Sequence, residues 1–169
     1  DVNGIGPEIL AKALARREPW EACRPVLIGS VSAYERARRN TPGAPVPITV
    51  SSISGLPHES GAVGILDAGF PGPEDQPGVL DPDSGASAVA WIKAGVRLAM
   101  EGSVQGIVTC PINKECIQKA GCPFDGHTSL IADMTASKDY RMCLFAGNMR
   151  IVHITAHLSL RNAIEAVKQ

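Results

Sequence analysis

The run PVLIGSVSAYERARRNTPGAPVPITVSS, residues 25–52, decides the fold class. PVLIGS (25–30) is a short apolar run closed by Gly29, the pattern of a buried strand. SVSAYERARRN follows as a helix, with Ser30 or Ser32 placed to cap its first turn. PVPITVSS (45–52) is a second apolar, β-branched run. A strand, a helix and another strand in succession predict a parallel sheet with helical crossovers, an α/β fold.

Upstream, DVNGIGPEIL opens the chain and PEILAKALARR reads as a helix. Pro7 suits the first helical position, Glu8 suits the positive end of the helix dipole, and Ile9, Leu10, Ala13 and Leu14 form one apolar face. Gly4-Ile5-Gly6 before that helix is open to two readings, a loop that cradles phosphate or a tight structural turn. The third glycine of a dinucleotide fingerprint and the Gly-Lys-Ser/Thr of a P-loop are both missing.

Downstream, Ser54 to Gly85 is rich in Gly, Pro and Asp, and is expected to be irregular loops around one strand, AVGIL. SGASAVAWIKAGVRLAMEG (84–102) is expected to be a long helix with Val89, Ile92, Val96 and Ala99 on one face and Gly102 ending it. GIVTCP (106–111) reads as a buried strand stopped by Pro111, and INKECIQKAG and HTSLIADMTA as short helices. RMCLFAG (141–147) and MRIVHITAH (149–157) read as a hairpin turned at Gly-Asn, and SLRNAIEAVKQ as the start of a helix. The opening residues read as the middle of a motif and the last helix lacks a stop signal. The expectation is therefore a chain truncated at both ends, divided into a first lobe over 1–125 and the start of a second over 126–169.

Composition excludes several classes. With 44% hydrophobic and 20% charged residues and a net charge of −1, no global field favours nucleic acid or an anionic membrane. No apolar run reaches the length of a membrane span. Five cysteines at irregular spacing read as reduced thiols of a cytoplasmic protein rather than a disulfide framework or zinc ribbon.

Three stretches can carry chemistry. In TCPINK, Thr109 ends the expected strand, and Asn113 and Lys114 follow at the edge where α/β sheets hold ligands. Lys114 is open to a phosphate- or carboxylate-pairing role or to a solvated helix position. In FDGHTSL, His127 and Thr128 set an imidazole and a hydroxyl at the start of a helix, where first-turn amides suit an anion. The alternative is that Thr128 caps the helix and His127 is exposed. In RIVHITAH, His153 and His157 lie four apart. In a strand that separation is about 13 Å, too far for one metal ion. His153 then reads as a core residue, and His157 as a ligand-facing residue beyond the strand end.

Taken together, GIGPEI, T-x-PINK, AG-x-x-F-x-GHT and H-L-x-L, in this order, make the chain resemble the 4-hydroxythreonine-4-phosphate dehydrogenase family, from Asp1 to about Val167. The resemblance covers about the first half of a family member. The opening NGIGPE also resembles the loop of isocitrate and isopropylmalate dehydrogenases, whose α/β/α layers the family shares. The resemblance implies an NAD-dependent oxidation of a small phosphorylated hydroxy acid, such as 4-phosphohydroxy-L-threonine, followed by decarboxylation. It also implies a divalent metal (Zn, Mg or Co) and a homodimer whose metal site takes residues from both subunits. It places the substrate-binding pair on His127 and Thr128 and the first metal ligand on His157. Ser129 and Ser159 stand where the family commonly has Glu and Pro, which leaves 4-phospho-D-threonate and 4-phospho-D-erythronate as substrates of equal standing. A non-catalytic phospho-ligand-binding fragment and a phosphate acetyltransferase are the competing readings. Gly-His-Thr and His157 speak against the latter.

Overall fold

The computed structural model describes residues 1–57, 61–66, 68, 76–155 and 158–167. The chain divides by its own contacts into Asp1–Thr135 and Ala136–Gln169. Helix 127–134 thus groups with the first unit, whereas the sequence reading began the second lobe at 126.

The first unit is built on a three-stranded parallel sheet in the order β1-β3-β2. β1 (Val26–Ile28) and β2 (Val46–Val50) both pair with β3 (Ala62–Leu66), Leu27 opposite Ile65 on one side and Thr49 opposite Ile65 on the other. The central strand therefore comes from the AVGIL run inside the Gly- and Pro-rich region. Val63 and Ile65 are almost fully buried there. Gly64 is required by packing: a Cβ at this position would lie 2.3 Å from Leu56 Cδ2.

Helices cover the sheet. α1 (Gly6–Leu14) follows the opening loop and α2 (Glu18–Ala22) is a short addition. α1 buries Pro7, Ala11 and Leu14, while Ile9 is exposed. The buried stripe thus runs i, i+4, i+7 from Pro7 and not through Ile9 as the periodicity suggested. α3 (Val31–Arg39) is capped by Ser30, whose side chain accepts from Ala33 N. Its Tyr34 packs with Leu14, Leu27 and Val63, and its hydroxyl donates to Pro45 O at 3.2 Å. Burial pushes the Tyr34 phenol up to about 12.

α4 (Pro82–Met100) is the spine of the unit. Asp81 caps it, accepting from Asp83 N and Ser84 N. It is buried on more than one face because it has neighbours on both sides. Trp91 packs with Val2 and Ala33, and Val89 packs with Ile117 and Leu130. α5 (Lys114–Lys119) is capped by Asn113, and α6 (His127–Met134) starts at Gly126. α5 lies so close to α4 that a Cβ on Gly85 would stand 2.3 Å from the carbonyl oxygen of Cys116.

One expected element is absent. Residues 106–111 form no strand among the described residues, and Val108 is 99% exposed. An isolated apolar run becomes a strand only when another strand's edge receives its amides and carbonyls. Here the run pairs with no strand edge among the described residues, and Gly106–Cys110 and Val26–Ser30 both line a cavity of about 210 Å³.

The second unit holds β4 (Cys143–Ala146) and β5 (Met149–Val152), an antiparallel hairpin with Phe145 opposite Arg150. Gly147 turns it with φ +57, a conformation glycine tolerates. β5 ends at Val152, earlier than the expected 157, and His153 N extends the pairing to Met142 O. His153 is half-buried and its neighbours Ile151 and Val152 are exposed, so it is not a core histidine. α7 (Leu160–Ala166) is capped by Ser159.

All five cysteines are free. No helix among the described residues is long and apolar enough to cross a membrane.

Candidate functional site

The site forms in the first unit, where the opening loop, the 106–112 segment and the start of α6 line one cavity. The loop is shaped by the Asp1 side chain, whose Oδ1 accepts from Asn3 N (3.0 Å) and Gly4 N (3.2 Å). Its two glycines are needed for close approach and not for a left-handed backbone. A Cβ on Gly4 would lie 3.2 Å from Asp1 Oδ2, and one on Gly6 would lie 3.1 Å from Cys110 Cβ. A larger residue at either place would push the loop off its supports. The glycine pair thus shapes a loop at the cavity rim and opens α1.

Asn3 is the second anchor. It is 6% exposed, accepts from Gln76 N on its Oδ1, and donates from Nδ2 to Val79 O. Gly78 N donates to its carbonyl. These bonds satisfy a buried amide and tie the opening loop to the segment that enters α4. Ser84, wholly buried in the first turn of α4, donates from Oγ to Asp1 Oδ1 at 2.8 Å. Asp1, Asn3, Ser84 and Gly85 escaped the sequence reading. Each is an ordinary loop or cap residue locally, and its partners lie far along the chain.

His127 stands at the first position of α6 and lines the cavity beside Asp1, Gly6 and Cys110. Its Nε2 is buried without a hydrogen-bond partner among the described residues. Burial lowers its pKa, the ammonium of Asp1 adds to the lowering, and the backbone of Cys110 pulls the other way. The imidazole is therefore held neutral near neutral pH, and its buried, unpartnered nitrogen is free to accept or donate a hydrogen bond to a polar ligand. Thr128 is next in the same first turn and is half-buried. It does not cap the helix: Gly126 occupies that place and no side chain caps there. The first-turn amides are left to other acceptors, and with the helix dipole they favour an anion.

Other candidates fall elsewhere. Asn113 spends its side chain capping α5 through Cys116 N at 3.1 Å. Lys114 is exposed at the start of that helix. Burial pushes the Cys110 thiol up, so it is a neutral wall of the cavity and not a nucleophile. His157, the expected metal ligand, lies outside the described residues. Among the described residues no group of three or more His, Cys, Asp or Glu side chains is placed to hold a metal ion. Among the described residues the donor set does not make up a complete metal centre.

The comparisons with known proteins bear on the fold and the family. The chain superimposes on a 4-hydroxythreonine-4-phosphate dehydrogenase from Burkholderia phymatum with a TM-score of 0.88 at 33% identity, over 98% of this chain and 50% of that one. It superimposes on the Klebsiella pneumoniae enzyme of the same name with a TM-score of 0.85 at 31% identity, over 100% and 51%. Among curated relatives, it is 37% identical to a Desulfosudis oleivorans 4-hydroxythreonine-4-phosphate dehydrogenase, over 96% of this chain and 48% of that protein. It is 34% identical to the Cupriavidus necator D-threonate 4-phosphate dehydrogenase, over 99% and 50%. The chain thus spans about half the length of the relatives it matches, and the α/β layers expected from the sequence are those of these dehydrogenases. The family described as pyridoxal phosphate biosynthetic protein PdxA matches residues 21–169. With the fold, the cavity and these matches in hand, the chain belongs to the PdxA family.

Proposed function

We propose that this chain supplies the N-terminal half of a metal-dependent NAD dehydrogenase that oxidises, and then decarboxylates, a small phosphorylated hydroxy acid. The observation that carries the reading is His127: a half-buried, neutral imidazole that lines the cavity, its Nε2 buried and unpaired, at the start of a helix with no side-chain cap. His127 would hold a substrate hydroxyl, Thr128 a second polar group, and the first-turn amides of α6 a negative one. A divalent metal would polarise the hydroxyl being oxidised, with NAD accepting the hydride. His157 is the proposed first ligand of that metal, and the remaining ligands and the NAD contacts would come from outside the described residues. A homodimer sharing the metal site is part of the same proposal.

The relatives named above act, by their names, on 4-hydroxythreonine 4-phosphate or on D-threonate 4-phosphate. Both are four-carbon acids with a phosphate at one end, and 4-phospho-D-erythronate has the same chemistry. The non-catalytic alternative is tested by the same experiment. The chain is joined to the second half of the Desulfosudis oleivorans relative, and NADH formation is followed with each phosphorylated acid and a divalent metal. The 169-residue chain alone is expected to make none, and the joined protein to make NADH. Thr128→Val and His127→Asn should raise KM about ten- to a hundredfold, the loss of a hydrogen bond to a charged ligand. NADH formation indifferent to both substitutions would overturn the assignment.

A further inference from the structure

Three motifs far apart in sequence meet at one place, and what brings them together is the first turn of α4. Ser84 Oγ donates to Asp1 Oδ1 at 2.8 Å, and the same oxygen receives Asn3 N and Gly4 N. That carboxylate oxygen is thus the common acceptor for the loop's own backbone and for α4. The next residue, Gly85, packs directly on the Cys116 backbone of α5, the helix that follows PINK. At the far side of the loop, Gly6 rests on Cys110, whose Sγ lies 3.8 Å from Gly6 O. Cys110 in turn presents its backbone to the His127 imidazole. Asp1, Gly6, Cys110 and His127 line the same cavity.

We propose that Ser84 is a positioning residue for His127: through Asp1 its hydroxyl holds the Gly4–Gly6 loop against Cys110, and that contact sets where the His127 imidazole stands. Ser84 is fully buried and does not line the cavity, so it acts only through the loop. The loop lies against Cys110: its Sγ is 3.8 Å from Gly6 O, and a Cβ added to Gly6 would come within 3.1 Å of Cys110 Cβ. In a close-packed region a displaced loop changes that contact. Losing the Ser84 bond leaves Asp1 with its two backbone donors and leaves the Asn3 bonds and the Val2–Trp91 packing in place, so the loop persists but its carboxylate is no longer tied to the first turn of α4. Its contact with Cys110 then loosens and admits water beside His127.

The same helix provides a control. Ser87 is also fully buried, and its Oγ donates to Asp83 O at 2.7 Å, a bond internal to α4. The test is the imidazole ¹⁵N–¹H spectrum of the labelled 169-residue chain, His127 being assigned by His127→Asn. Ser84→Ala and Ser87→Ala should each lower the melting temperature. Only Ser84→Ala should shift the His127 resonances and move their titration midpoint up, toward that of an ordinary imidazole. Asp1→Ala, which removes the Ser84 bond together with those from Asn3 N and Gly4 N, should shift them at least as far, and Ser84→Ala added to Asp1→Ala should produce no further shift, since the bond it breaks is already gone. Equal responses to Ser84→Ala and Ser87→Ala, no response to either, or additive shifts in the double variant would each overturn the proposal.

The consequence for the reaction rests on the substrate reading of His127 and is read separately. In the joined protein, Ser84→Ala should raise KM for D-threonate 4-phosphate several-fold, and Ser87→Ala should not. A moved His127 resonance with an unmoved KM keeps the Ser84 latch and removes His127 from the substrate.

Discussion

Two five-residue runs, AVGIL at 62–66 and GIVTC at 106–110, are alike in length and apolar character and differ in fate. The first is the central strand of the sheet, paired on both edges, with Val63 and Ile65 at 0% and 2% exposure. The second joins no sheet among the described residues, and its Val108 is 99% exposed. AVGIL even carries a glycine at its centre, a residue that weakens strands in isolation. An apolar run becomes a buried strand where neighbouring strands present free edges to it, and composition alone does not supply those edges. β3 has β1 on one side and β2 on the other, whereas GIVTC pairs with no strand among the described residues and lines a cavity together with β1.

The contrast predicts unequal costs for similar truncations. Ile65→Ala should cost the chain about 2–5 kcal/mol, because it removes a buried side chain from the core of the sheet. Val108→Ala should change stability by less than about 0.5 kcal/mol. Urea unfolding of the two variants checks this, and similar midpoints would break the comparison.

Glycines sharpen it next. Gly85→Ala drives a methyl into the backbone of Cys116, which cannot swing aside, and should cost about 1–3 kcal/mol. Gly64→Ala meets the tip of the Leu56 side chain, which can rotate, and should cost less, although the clash distance is the same 2.3 Å. Thermal unfolding of both variants ranks them. Asp81→Ala removes the acceptor of two first-turn amides of α4 and should cost about 1 kcal/mol in the same measurement.

The smallest effect is in pH dependence. Burial lowers the folded-state pKa of His127 below its unfolded value. The unfolded chain therefore binds the proton first as pH falls. His127's contribution is intact above the ordinary imidazole value of about 6.5 and is lost as pH falls from there through the lowered folded value. His127→Asn should lose less melting temperature than the parent between about pH 7.5 and about pH 5, against that same ordinary value. An equal or larger loss would show that His127 is not held neutral by the fold.

Much of this was legible locally. The alternation of PVLIGS, SVSAYERARRN and PVPITV marked the βαβ unit, because period and caps are written within a few residues. Asn113, Ser30 and Ser159 cap the helices they precede, and GHT begins a helix as its glycine suggests. Other features were not legible. AVGIL could be read as a strand, but its central place depends on which edges β1 and β2 leave open, at partners 38 and 16 residues earlier in sequence, since Val26 pairs with Gly64 and Val46 with Ala62. The buried stripe of α1 shifted from Ile9 to Ala11 because the sheet, and not periodicity, chose which side faced inward.

The sequence by itself determined the α/β class, most helix starts, the family motifs and the pairing of His127 with Thr128 at a helix N-terminus. These depend on backbone preference and short-range hydrogen bonds, which act between residues close along the chain. Only the tertiary structure decided that AVGIL is the sheet's centre and that GIVTC is not a strand. It also decided that Asp1, Ser84, Cys110 and His127 belong to one assembly. Such choices depend on edges, clearances and buried acceptors contributed by distant segments, and those exist only once the chain has closed on itself.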